Sequence, residues 1–157
     1  AKTAKTGKAL AEASDIVMLC LTTSEIVEKV IYAENGVLEG LQEGSVLVDF
    51  GTSIPASTKK IGADLAKKGV GMIDAPLGRT PAHAKDGLLN IMAAGDIDTF
   101  NKVKGVLEEL GLLENSIFVG RVGFSDQQIF RASELSSDTK PYFSLLLIRQ
   151  SWPLKMP

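Results

Sequence analysis

Three short segments combine small hydroxyl residues, glycine and charge in a way that suits ligand binding: Leu21-Thr-Thr-Ser24, Asp49-Phe-Gly-Thr-Ser53 and Asp74-Ala-Pro-Leu-Gly-Arg-Thr80. Hydroxyls and free backbone N–H groups donate to anionic groups, and glycine lets a ligand approach the backbone closely. Arg79, between Gly78 and Thr80, offers a planar fork that can grip a carboxylate or sulfonate through two parallel bonds. The plainer alternative is that the threonines cap turns and Arg79 covers a surface loop. His83, the only histidine, has a side chain that can move protons near neutral pH. A single histidine in a short helix is more often a surface group, and it is not assigned that role. Asp49 and Asp74 suggest a carboxylate pair, yet each reads better as the cap of a turn. Cys20 has no second cysteine for a disulfide or a metal cluster, so no metal is expected.

The elements that must position these residues follow from the apolar pattern. Asp15 to Leu21 is apolar without alternation and reads as a central strand covered on both faces. Thr22 and Glu25 have capping-box spacing, so a helix is expected to start there. A second unit runs from strand Ser45–Asp49 through the turn to a helix from about Pro55 to Lys68, with Ile61 and Leu65 on one face. A third strand, Gly71–Ala75, leads into a loop broken by Pro76, Gly78 and Pro81. A short helix over Pro81–Lys85, a strand over Leu88–Ala94, a helix from Asp96 to Leu110 stopped by Gly111, and a strand over Ser116–Val119 complete the pattern. The alternation predicts an α/β fold with a largely parallel sheet and helices on both faces, in which ligands gather at the carboxyl ends of the strands. From Phe124 to Pro157 neither helical period nor clean alternation is found.

Composition narrows the function classes. Lysine and arginine number 17 against 19 acids, a net charge of -2, with the signs interspersed. Such a balance argues against nucleic acid or an anionic membrane as the main partner. The apolar run Tyr142–Ile148 is too short to span a bilayer. The residues before Ala9 lack the parts of a secretory signal and begin without methionine, so the chain is expected to start mid-protein and to reside in the cytoplasm.

Taken in order, the segments resemble the β-hydroxyacid dehydrogenases, the group that includes 3-hydroxyisobutyrate dehydrogenase, tartronate semialdehyde reductase and relatives of 6-phosphogluconate dehydrogenase. The resemblance runs from about Ala9 to Gly123. Its strongest part, Asp74 to Gly95, is similar to the family's D-A-P-V-S-G-G…A…G-x-L…GG segment. Glu34–Gly40 is similar to its G-V-L-x-G stretch, and Asp49–Ser53 to its D-x-S-T-x turn. The resemblance implies a Rossmann-like, NAD- or NADP-binding domain. It also implies hydride transfer between nicotinamide and a small anionic hydroxy acid or its aldehyde. It assigns Leu21, Thr22 and Thr52 to the cofactor and Gly78, Arg79 and Thr80 to the substrate, and it leaves room for a homo-oligomer.

The departures matter as much. Gly78, Arg79 and Thr80 replace the family's serine and two glycines, a G-R-T variant similar to that of sulfolactaldehyde reductases. Gly51 stands where the D-x-S-T turn has serine. The sequence contains no G-x-G-x-x-G pyrophosphate loop, and no lysine occurs between Gly123 and Lys140 to supply the family's K-x-x-N-N motif, so no catalytic residue is assigned. The expected organisation is therefore a partial NAD(P)-binding domain over residues 1–123. A tail over residues 124–157 would follow that does not match the family's helical carboxyl-terminal domain. The alternatives are a non-catalytic anion-binding module and an inactive, truncated gene product.

Overall fold

The computed structural model describes residues 3–86, 89–109, 116–120, 128–131 and 145–148. It divides into two compact units, Ala1–Pro76 and Leu77–Pro157.

In the first unit three strands, β1 (Ile16–Leu19), β2 (Val46–Asp49) and β3 (Gly71–Asp74), lie parallel and in register. Ile16 pairs with Val46 and Val46 with Gly71, and the ladder ends at Leu19, Asp49 and Asp74. The expected neighbouring parallel strands are thus present. The reading of Asp15–Leu21 as a central strand is corrected, because among the described residues β1 pairs only with β2, which takes the centre with all four residues buried. An unbroken apolar run says that both faces of a strand can be covered, not how many neighbours it has. Met18 on β1 is in fact 51% exposed.

The helix α1 (Gly7–Glu12) precedes β1, α2 (Ser24–Tyr32) and α3 (Val37–Gly40) link β1 to β2, and α4 (Pro55–Ala66) links β2 to β3. The start of α2 lies one residue later than the capping-box spacing suggests. Thr23, not Thr22, has the extended cap conformation, and its hydroxyl accepts the Ile26 N–H at 3.3 Å. Pro55 occupies the first turn of α4, where its missing N–H costs nothing. Ala11, Val27, Ile31, Ile61 and Leu65 from the helices close with Val17, Leu19 and Leu47 into one buried cluster. Each large side chain so buried contributes roughly 1.5–3 kcal/mol. Gly40 is required by a close approach, since a Cβ there would lie 2.2 Å from the Lys8 carbonyl oxygen of α1.

The second unit pairs antiparallel. β4 (Leu77–Gly78) runs beside β5 (Asn90–Gly95), so the loop expected after Pro76 contains a two-residue strand. Between them α5 (Pro81–Lys85) has the bounds that the sequence predicts. The helix α6 (Ile97–Glu109) starts at Asp96, whose carboxylate accepts the Thr99 N–H at 2.9 Å and also the Thr99 hydroxyl. The proposed stop at Gly111 lies outside the described residues. β6 (Ser116–Gly120) is followed by β7 (Gln128–Arg131) and β8 (Leu145–Ile148), two strands in the stretch where the pattern predicts no element. β8 runs between β5 and β6, pairing Leu147 with both Met92 and Ile117. It falls inside the apolar run Tyr142–Ile148, and such a run of four to eight residues is also a strand signal. No described helix is long and apolar enough to cross a membrane.

Candidate functional site

At the carboxyl ends of β1 and β2 the chain makes two turns that lock together. The Phe50 N–H donates to the Leu19 carbonyl oxygen at 2.8 Å. Asp49, fully buried, accepts the Gly51 N–H on Oδ1 and the Ser53 hydroxyl on Oδ2, both at 2.8 Å. A Cβ on Gly51 would lie 3.0 Å from that Oδ1 and 3.0 Å from the Leu21 carbonyl oxygen. The glycine thus lets the β2 turn sit directly against the β1 turn. Across them, the Ile54 N–H donates to the buried Ser24 hydroxyl at 2.7 Å.

This network assigns the structural work to Thr23, Ser24, Asp49 and Ser53. Leu21, Thr22 and Thr52, the expected cofactor residues, all lie in the first unit, on the turns that follow β1 and β2. Leu21 is half-buried and the two threonines are exposed. Among the described residues neither the Thr22 nor the Thr52 hydroxyl makes a hydrogen bond, so neither is used up as a cap. Asp49 caps its turn, as its sequence position suggests. Asp74 does not: its carboxyl has no hydrogen-bond partner among the described residues. Burial, and then the charge of Asp49 beside it, hold its pKa above the usual carboxylate value.

In the second unit, Gly78, Arg79 and Thr80 run consecutively from β4 to the start of α5. Arg79 has φ +82°, a left-handed conformation that an L side chain rarely adopts. Arg79 and Thr80 are both exposed. Thr80 stands at the N-cap of α5, yet its hydroxyl meets His83 Nδ1 at 2.7 Å instead of capping the helix. His83 is therefore tied to the loop as a partner of Thr80, a pairing that the three-residue separation at a helix start could have signalled.

Ser24 was not singled out in the sequence, because its partner lies 30 residues away and no local spacing reveals it. Two hollows in the first unit, of about 370 and 620 Å³, are lined by residues around α1 and by the Lys29–Gly36 stretch. Neither is lined by the strand-end turns, where the exposed hydroxyls are.

Residues 1–120 match the family model described as the NAD binding domain of 6-phosphogluconate dehydrogenase. The chain belongs to the NAD(P)-dependent β-hydroxyacid dehydrogenase family. Among its relatives in that family, 3-sulfolactaldehyde reductase of Escherichia coli is 34% identical over 101 residues, 64% of this chain and 34% of the reductase. The 2-hydroxy-3-oxopropionate reductase of the same organism is 33% identical over 119 residues, 76% of this chain and 40% of that enzyme. A solved 3-hydroxyisobutyrate dehydrogenase from Salmonella typhimurium superimposes with a TM-score of 0.58 at 25% identity, covering 66% of this chain and 35% of its own. The chain thus spans between 34% and 40% of the length of these two reductases. The expected α/β, Rossmann-type fold and the expected NAD-type cofactor class agree with the family.

Proposed function

We propose that this chain forms part of an NAD(P)-dependent oxidoreductase acting on a small anionic hydroxy acid or its aldehyde. In this reading Leu21, Thr22 and Thr52 contact NAD or NADP, and Gly78, Arg79 and Thr80 hold the substrate anion. The observation that carries it is the backbone of Arg79. An arginine at φ +82° occupies a position suited to glycine, where the related loops have glycine, and a conformation of that kind costs on the order of 1–3 kcal/mol. A strained arginine is best explained by work that glycine cannot do, and a guanidinium held in a loop can bind a sulfonate or carboxylate bidentately.

The cofactor fits the first-unit turns on the same kind of argument. Two exposed, unspent hydroxyls stand at strand carboxyl ends on turns stiffened by Asp49 and Ser24, the place where α/β sheets bind ligands. When bound, the nicotinamide would give or accept the hydride. The chain's own residues would bind and orient, with no residue assigned to proton transfer. Residues 1–123 form the cofactor-binding part, and residues 124–157 a tail unlike the family's helical carboxyl-terminal domain. The setting is cytoplasmic, with the subunit in a homo-oligomer and neither nucleic acid nor membrane as partner.

NADH and NADPH titrations followed by fluorescence test the cofactor assignment. Weak binding in the high-micromolar range is expected, since the sequence lacks the G-x-G-x-x-G loop. NMR titration with methanesulfonate and acetate tests the anion loop. Losing a bidentate charged pair in Arg79→Ala should weaken binding about thirtyfold, and Arg79→Lys should recover only part of it. Anion binding without any cofactor binding would favour the non-catalytic module. Identical curves for all three proteins would remove Arg79 from the site.

A further inference from the structure

The α2–α4 interface carries one polar tie per helical turn. On α2 the tied residues are Ser24, Glu28 and Tyr32, four apart and therefore on one face. Ser24 accepts the Ile54 N–H at 2.7 Å. Glu28 accepts the Ser57 hydroxyl at 2.6 Å. The Tyr32 hydroxyl donates to Asp64 at 2.9 Å, with Lys60 Nζ 3.7 Å from the centre of its ring. Lys67 and Lys60 hold Asp64 from α4 itself, at 2.7 and 3.8 Å.

These ties do not do the same job. The Tyr32–Asp64 end joins two helix bodies far along their length from the strand ends. The Ser24 end lies where the two helices begin, next to the strand-end turns. Its acceptor is the first residue of α2, directly after Leu21, Thr22 and Thr23, and its donor is Ile54, directly after Thr52 and Ser53. Ile54 is the N-cap residue of α4 and has no side-chain oxygen with which to hold its own turn. Its own N–H instead donates to the Ser24 hydroxyl of the neighbouring helix. Ser24 is 7% exposed and so is fixed by packing. Gly51 keeps the two turns in contact, and Asp49 sets the inner curve of the second one.

We propose that Ser24 is a positioning residue for the cofactor: through Ile54 it fixes the spacing between the turn that carries Thr22 and the turn that carries Thr52. The inference rests on the reading of those two threonines as cofactor contacts. Ser24 acts through the backbone, and the Tyr32–Asp64 end of the same seam supplies stability alone.

The test compares Ser24→Ala, Ser24→Thr and Asp64→Asn in the full 157-residue chain. NADH and NADPH affinity are measured by fluorescence, stability by urea unfolding, and amide positions by nitrogen-15 NMR. Ser24→Ala should weaken cofactor binding about fivefold, the equivalent of one neutral hydrogen bond. It should also move the amide signals of Gly51, Thr52 and Thr22. Ser24→Thr, which keeps the hydroxyl, should restore affinity to within about twofold. Asp64→Asn should lower the urea midpoint and leave affinity and those three signals in place. If affinity falls in both Ser24→Ala and Asp64→Asn in step with stability, Ser24 is an ordinary structural tie and the proposal is overturned. Unchanged affinity in Ser24→Ala overturns it as well. Should wild type bind neither cofactor, the reading of the threonines fails. The role of Ser24 is then decided by the spectra: displaced Gly51 and Thr52 signals in Ser24→Ala alone uphold it, and unmoved signals overturn it.

Discussion

Asp49 and Asp74 are direct partners across the parallel β2–β3 ladder, and only one of them is supplied with hydrogen bonds. Asp49 takes the Gly51 and Ser53 donors. Asp74 is left half-buried beside that charge, so burial and repulsion both raise its pKa. Folded Asp74 therefore holds a proton more tightly than unfolded Asp74. Its contribution is fully present below the ordinary aspartate range and is lost as pH rises through the raised value. Urea midpoints measured from pH 4 to 8 should fall across that window, and Asp74→Asn should flatten the fall and raise the midpoint at neutral pH. An equal slope in both proteins would show that Asp74 titrates normally.

Removing the neighbour should act on both residues. Asp49→Ala deletes a buried acceptor of two hydrogen bonds and is expected to cost on the order of 3 kcal/mol. In the less disruptive Asp49→Asn the charge beside Asp74 disappears, and carbon-13 NMR of the Asp74 carboxyl should show its pKa moving down toward the ordinary value.

The register of the α2 cap gives a paired prediction. Thr23→Ala should destabilise by about 1 kcal/mol because it removes the side-chain acceptor for Ile26. Thr22→Ala, one residue earlier and exposed, should stay within about 0.5 kcal/mol. Thermal unfolding of the two variants decides between them, and the reverse order would restore the cap to Thr22.

Arg79→Gly should make the protein more stable and less able to bind anions. Glycine adopts φ +82° freely, so relief of about 1 kcal/mol is expected, while the guanidinium is lost. Chemical denaturation and methanesulfonate titration of the same variant measure both halves. A variant that gained no stability would mean that the loop imposes no strain on Arg79.

The parallel strands, α4 and α5 were legible because each rests on local signals: unbroken apolar runs, prolines at first turns, and Ile61 and Leu65 one turn apart. Which strands lie beside β1 was not legible, since no residue within Ile16–Leu21 records its neighbours. The Thr22–Glu25 spacing pointed one residue early because three hydroxyls stand in a row, and only the backbone conformation chooses among them. The Ser24 tie was invisible for a different reason, and the Thr80–His83 spacing was a signal left unread. The first depends on where chain segments 30 residues apart meet after folding, and the second runs through an unusual cap. Of the two strands after Phe124, β8 is paired by partners distant in sequence and left only one short apolar run as a trace, while β7 pairs with the preceding strand β6 but is too short to show a pattern.

The placement of β8 between β5 and β6 has a consequence for how the chain can be made. On a ribosome β5 and β6 emerge before β8, and the edges that β8 covers stay open until it follows. Exposed strand edges recruit other chains, so the nascent second unit is most prone to aggregate in that interval. A chain halted before Leu145 never leaves the interval, and its yield of soluble protein becomes a measure of what β8 does.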